Sequence, residues 1–106
     1  MIEISPLEAK HLLENSPDKY LLVDVREDVE LKIAAIEDTI HIPMGEIPSR
    51  IDELDSKKAI ICLCKTGGRS GEVGHYLLNN GFNKVMNLSG GINAWSEQVD
   101  PSIPIY

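Results

Sequence analysis

The chain has 106 residues, enough for one domain that builds its own core without disulfides or a structural metal. Its formal charge of −7 argues against nucleic acid or an anionic membrane as a main partner, because binding by counterion release needs a basic surface. No apolar run is long enough for a membrane-spanning helix, and Met1-Ile2-Glu3-Ile4 has neither the basic start nor the apolar core of a signal peptide, so the expected location is the cytoplasm.

Met1–Ser5 reads as a short strand. Ser5-Pro6-Leu7-Glu8 is a capping box with proline at the first helical position, and the helix it starts turns Ala9, Leu12 and Leu13 inward and ends near Ser16. Tyr20–Val25 is a β-type run leading into Arg26-Glu27, and Asp28–Ala35 is a brief helix. Thr39–Ile42 is a short strand closed by Pro43, and Ile47–Leu54 is a helix with Pro48 in its first turn. Lys58–Leu63 is apolar on both faces, as a central strand of a parallel sheet is. Ser70–Asn80 carries Val73, Tyr76 and Leu77 on one helical face, with Gly81 as its stop. Lys84–Leu88 is a further strand, and Gly90-Gly91 leads into a helix containing Ile92 and Trp95, whose ring is expected in the core. The tail with Pro101 and Pro104 is expected to be extended. Strands alternating with helices predict an α/β fold with parallel strands and right-handed crossovers. Sites in such sheets form beyond the carboxyl ends of the strands, where Asp24, Arg26 and Cys64 fall.

Cys64 is the residue with the most chemistry to offer. A lone cysteine is ordinarily a small buried hydrophobe. Here it closes the run Ile60-Ile61-Cys62-Leu63 and opens the loop Lys65-Thr66-Gly67-Gly68-Arg69. Glycines at 67 and 68 let backbone N–H groups turn inward, so a side chain at 68 is expected to disturb that arrangement. Lys65 and Arg69 add cations, Ser70 is placed to cap the next helix, and the helix end adds a partial positive charge of about 0.5. All of these favour a thiolate, which is the reactive form. A phosphate-binding P-loop fits poorly, because Arg69 stands where that motif needs lysine and the upstream glycine is missing. Cys62 shares a strand face with Cys64 and is expected to pack in the core; the rival reading is a resolving thiol, although a disulfide between the two needs local unwinding. His11, His41 and His75 are scattered, so no metal is expected, and His41 is assigned a structural hydrogen bond. Gly71 and Gly74 fall inside a helix and suggest close backbone packing there.

Three segments carry a resemblance: Asp24-Val25-Arg26, Cys64-Lys65-Thr66-Gly67-Gly68-Arg69-Ser70, and Asn87-Leu88-Ser89-Gly90-Gly91-Ile92-Asn93-Ala94-Trp95. In order and spacing they resemble the rhodanese-like sulfurtransferases, from Tyr20 to about Trp95. The ending Val99–Tyr106 is similar to the tail of rhodanese modules fused to sulfur-carrier adenylyltransferases. The resemblance implies a single rhodanese-like domain over residues 1–106, with a five-stranded, mostly parallel sheet flanked by helices on both faces. It implies that Cys64 takes the outer sulfur of thiosulfate or of a persulfide, and passes it from a Cys64 persulfide to cyanide or a thiol. N–H groups of residues 65 to 69 would ring that sulfur as an oxyanion hole rings its anion. Lys65 would attract an anionic donor; Arg69 would hold the loop and the groups behind it, with contact to substrate as the alternative.

No organic cofactor is implied; the partners are a small-molecule or protein sulfur donor and a thiol acceptor, and the chain is expected to be a monomer because no large apolar stripe is visible. Asp24 and Arg26 either bind substrate or form a buried ion pair that fixes the neighbouring loops, and the ion pair is the preferred reading. The cysteine phosphatases, similar in fold, place one more residue between cysteine and arginine than the four found between Cys64 and Arg69, which widens their cradle for phosphate. A non-catalytic interaction module and a redox-sensing module are the other rivals. The chain departs from the family pattern at Ala34-Ala35-Ile36 and Asp38-Thr39, where a Gly-His-Ile and a Gly-Ala pair are common. That departure bears on substrate access more than on the chemistry.

Overall fold

The Ser5 hydroxyl accepts the Glu8 N–H at 3.1 Å while the Glu8 carboxylate accepts the Ser5 N–H at 3.2 Å, so the capping box starts helix α1 (Pro6–Asn15) where the sequence places it. The computed structural model describes residues 1–106. Its strands are β1 (Ile2–Ile4), β2 (Tyr20–Asp24), β3 (Ile40–His41), β4 (Ala59–Leu63) and β5 (Val85–Leu88). The remaining helices are α2 (Asp28–Leu31), α3 (Ile47–Arg50), α4 (Gly68–Leu78) and α5 (Gly91–Gln98). The five strands form one sheet in the order β1-β5-β4-β2-β3, every pair parallel.

All five β4 residues are buried, as a strand covered on both faces requires. Their alternation divides the core. Ile60 and Cys62, continued by Cys64, face a layer with Val73 and Leu77 of α4, Ile47 and Leu54. Ile61 and Leu63 face Ala9 of α1 with Ile92 and Trp95 of α5. Trp95 takes the expected core position, and Cys62 packs as the hydrophobe expected of it. Gly74 is a close approach, since a Cβ there would strike the Met1 side chain and press on Val85; at Gly71 a Cβ would meet only an ordinary contact with the Asn87 amide. No helix is long and apolar enough to cross a membrane.

Several elements are shorter than the sequence patterns suggest. The helix expected over Asp28–Ala35 stops at Leu31, and the Arg26 guanidinium donates to the carbonyls of Glu30 and Ala34 in this segment. The strand expected over Thr39–Ile42 contracts to Ile40–His41. The helix expected over Ile47–Leu54 is a single α-turn between two three-ten turns, with Ile47 and Leu54 as its buried anchors. The tail is not simply extended. A turn follows Asp100, Ile103 is buried, and Tyr106 returns to the carboxyl edge of the sheet.

Candidate active site

Cys64 leaves the end of β4 with 1% of its surface exposed. Its Sγ accepts the Gly67 N–H at 3.1 Å and lies 3.2 Å from the Ser70 hydroxyl. Burial pushes the thiol up, but the Ser70 hydroxyl and the N–H groups of Ser70, Gly67 and Thr66 outweigh it, and the thiol sits below its ordinary value.

The aim of those N–H groups has a cause on the other side of the loop. The carbonyls of Cys64 and Lys65 are drawn outward by the Ile92 and Asn93 N–H groups, at 2.8 and 3.3 Å, in the first turn of α5. This approach requires a glycine at 91, where φ is 62° and a Cβ would run into the Lys65 carbonyl. Gly67 is the second demanding position. It has φ of 114°, caps α4, and gives its carbonyl to the Asn87 amide at 3.0 Å. Two expectations need correction here. Helix α4 begins at Gly68, so Ser70 does not cap it; Ser70 lies in the first turn with its hydroxyl turned to Cys64. Gly68 itself has no special backbone angle and a Cβ there would meet nothing within 4 Å, so glycine is required at 67 and not at 68.

Behind Ser70 stands Asn87, 3% exposed, whose Oδ1 lies 2.5 Å from the Ser70 hydroxyl. Its amide nitrogen donates to Glu3 at 3.0 Å as well as to Gly67. Ser70 has one proton for two acceptors. With Cys64 as a thiol, the S–H can donate to Ser70 and Ser70 to Asn87; with Cys64 as a thiolate, Ser70 turns its proton to the sulfur.

A ring of charged groups surrounds the loop. Asp24 and Arg26 are wholly buried and paired, with Arg26 Nη2 at 2.7 Å from the carboxylate. Arg26 also donates to Ala34 O at 2.8 Å and to the Tyr106 hydroxyl at 2.9 Å. Arg69 donates both terminal nitrogens to Glu30, at 2.6 and 2.9 Å, and Tyr106 donates to the same carboxylate at 2.6 Å. The Arg69 hydrogen bond, supported by Tyr106 and the Glu27 N–H against the cost of burial, holds the Glu30 carboxyl down at about 2. Lys65 extends its ammonium over the Tyr106 ring, 4.8 Å from the centroid. His41 Nε2 lies 2.6 Å from the Arg26 carbonyl, the structural bond expected of it.

Cys64, Gly67 and Ser70 therefore meet at the sulfur, and Thr66 joins through its N–H, its side chain being exposed. Lys65 and Arg69 stand at the rim with their heads turned to Tyr106 and Glu30. Asp24 and Arg26 reach the loop only through Tyr106 and Glu30 and make no hydrogen bond to Cys64. Glu30, Asn87, Gly91 and Tyr106 belong to the site as well, beyond the residues that the sequence patterns single out. Glu30 is one acid among several in its segment, and Tyr106 lies 80 residues from the arginine it meets. Gly90-Gly91 is a visible signal in the sequence, but as a pattern it marks only the start of a helix. No three His, Cys, Asp or Glu side chains gather in a set that could hold a metal ion.

A family model for the rhodanese-like domain matches residues 5–98. YtwF of Bacillus subtilis, a candidate sulfurtransferase, is 39% identical over 99 residues that cover 93% of this chain and 94% of YtwF. The adenylyltransferase and sulfurtransferase MOCS3 of Arabidopsis thaliana is 28% identical over 97% of this chain but only 25% of its own, so there the matching part is a fraction of a longer protein. Among solved structures, a rhodanese-like domain protein from Staphylococcus aureus superposes with a TM-score of 0.84 at 32% identity, covering 100% of this chain and 99% of that one. Strand order, the loop at the end of β4 and these likenesses agree: the chain belongs to the rhodanese-like family.

Proposed function

We propose that the protein is a sulfurtransferase that carries sulfane sulfur on Cys64. The observation that supports this most directly is the set of N–H groups and the Ser70 hydroxyl gathered on one buried sulfur, which lowers the thiol despite its burial. In the first half-reaction the Cys64 thiolate attacks the outer sulfur of thiosulfate or the terminal sulfur of a persulfide. An Sγ–S bond forms, the donor's S–S bond breaks, and its electron pair leaves on sulfite or on the donor thiol. In the second, cyanide or a thiolate attacks the terminal sulfur of the Cys64 persulfide, and the electron pair returns to Sγ. The donors around Sγ hold negative charge in place at the start of one half-reaction and at the end of the other. A binding-only module has no use for a thiol tuned in this way.

The test is an intact-mass spectrum after brief incubation with thiosulfate and, separately, with a small thiol persulfide. Wild type should gain one sulfur atom that cyanide removes, and Cys64→Ser should gain none. No gain in wild type from either donor would refute the reading.

A further inference from the structure

Three cations stand around the cradle, and two of them are already matched by carboxylates. Arg26 is paired with Asp24, both side chains fully buried. Arg69 is spent on Glu30 in a two-pronged ion pair. Glu30 is itself fixed from two further sides, by the Tyr106 hydroxyl at 2.6 Å and the Glu27 N–H at 3.0 Å. Lys65 alone faces an aromatic ring instead of a carboxylate.

This arrangement bears on what can approach Cys64. Thiosulfate carries its negative charge on sulfonate oxygens as well as on sulfur, and groups of that kind are best held by a free guanidinium. Arg69 is the guanidinium in the loop itself, close enough for the Cys64 charge to act on it. Drawing it away would leave the Glu30 carboxylate, only 14% exposed, without its partner and beside an incoming dianion. The chain's charge of −7 adds to the repulsion. The inner cradle, with its few N–H groups on one atom, matches a single sulfur and not a sulfonate.

We propose that Glu30 sets the donor class: by keeping Arg69 occupied it turns away sulfonate-type donors and leaves Cys64 to sulfur borne on a thiol. This rests on Cys64 being the sulfur carrier. The favoured step is attack of the Cys64 thiolate on the terminal sulfur of R–S–SH. The Sγ–S bond forms, the S–S bond to the carrier breaks, and the carrier thiolate leaves with the electron pair. That thiolate takes up the proton of the transferred sulfhydryl, so the products are Cys64–S–S⁻ and R–SH.

The experiment follows the rate of Cys64 loading by quenched intact-mass measurement against donor concentration. The donors are thiosulfate and the persulfide of N-acetylcysteine methyl ester, whose only ionisable group is its sulfur. Wild type should load more efficiently from the persulfide. Glu30→Gln frees Arg69 and should shift the thiosulfate-to-persulfide efficiency ratio toward thiosulfate by about tenfold, the worth of one charge-assisted hydrogen bond. The shift should appear as a lower half-saturating thiosulfate concentration and should vanish in Glu30→Gln/Arg69→Gln. If Glu30→Gln does not fold, Glu30→Asp, one methylene short of Arg69, should give a smaller shift in the same direction. An unchanged ratio, or a shift that survives loss of Arg69, overturns the assignment of Glu30. Failure of wild type to load from either donor would instead refute the sulfur-carrier reading on which it rests.

Discussion

Replacing Asp24 by asparagine removes the charge that balances the most deeply buried cation of the protein. The Asp24 carboxylate accepts the Arg26 backbone N–H at 3.0 Å, Nε at 3.0 and 3.2 Å, and Nη2 at 2.7 Å, and neither side chain has any exposed surface. Arginine cannot escape by giving up its proton. Asparagine would offer one neutral oxygen and turn an amide NH2 toward the guanidinium. Removing one partner of a buried pair costs about 3–5 kcal/mol, against a total of about 5–15 kcal/mol for a domain of ordinary stability. Asp24→Asn should therefore lose about a fifth of its stability or more in urea denaturation followed by circular dichroism. The double variant Asp24→Leu/Arg26→Met strands no charge and should lie closer to wild type than the single variant. A single variant within about 1 kcal/mol of wild type would refute the argument. The same variant separates the two readings of the pair. If the pair is structural, folded Asp24→Asn alkylates at Cys64 as wild type does; a folded variant with a changed response to donor alone would move the pair to substrate binding.

Gly91→Ala places a Cβ against the Lys65 carbonyl at a left-handed backbone angle, which costs about 1–2 kcal/mol in strain alone, and should both lower the melting temperature and slow Cys64 alkylation; Gly68→Ala, with open space before it, should leave stability within about 0.5 kcal/mol of wild type. Ser70→Ala removes a donor to the sulfur, so its Cys64 should be alkylated more slowly by iodoacetamide near neutral pH, and an unchanged rate would remove Ser70 from the list of groups that hold the thiol down. The Glu30 carboxyl titrates at about 2 in place of 4.5, so its contribution to stability is fully present above about pH 4.5 and is lost as the pH falls through about 2. Glu30→Gln should flatten that part of the acid-denaturation curve, and an unaltered curve would contradict the ion pair.

Where the information is local or periodic, the sequence shows it. The capping box of α1, the doubly buried β4 and the cysteine at its end are legible because each depends on neighbours along the chain. The rhodanese-like motifs add strand number and layering. What stays hidden is set by partners far away in sequence. The bond from Arg26 to the Ala34 carbonyl spans eight residues, and the clamp on the loop depends on N–H groups in α5. Ser70 illustrates the same point: its type and position suit a helix cap, yet the helix starts two residues sooner because Gly67 adopts a left-handed angle, which frees the hydroxyl for the sulfur. The ring of Glu30 and Tyr106 has no local signature at all.

The hold of α5 on the Cys64 and Lys65 carbonyls has a consequence for how the protein matures. The nucleophile and its loop are synthesised well before the segment that orients them. A nascent or partly folded chain, with α5 not yet docked, already carries the cysteine but lacks the oriented amides, and its thiol is an ordinary sluggish one. Chemical competence thus arrives late, as the final helix closes on the sheet. The alkylation rate of Cys64 should therefore differ between chains in which α5 has and has not docked.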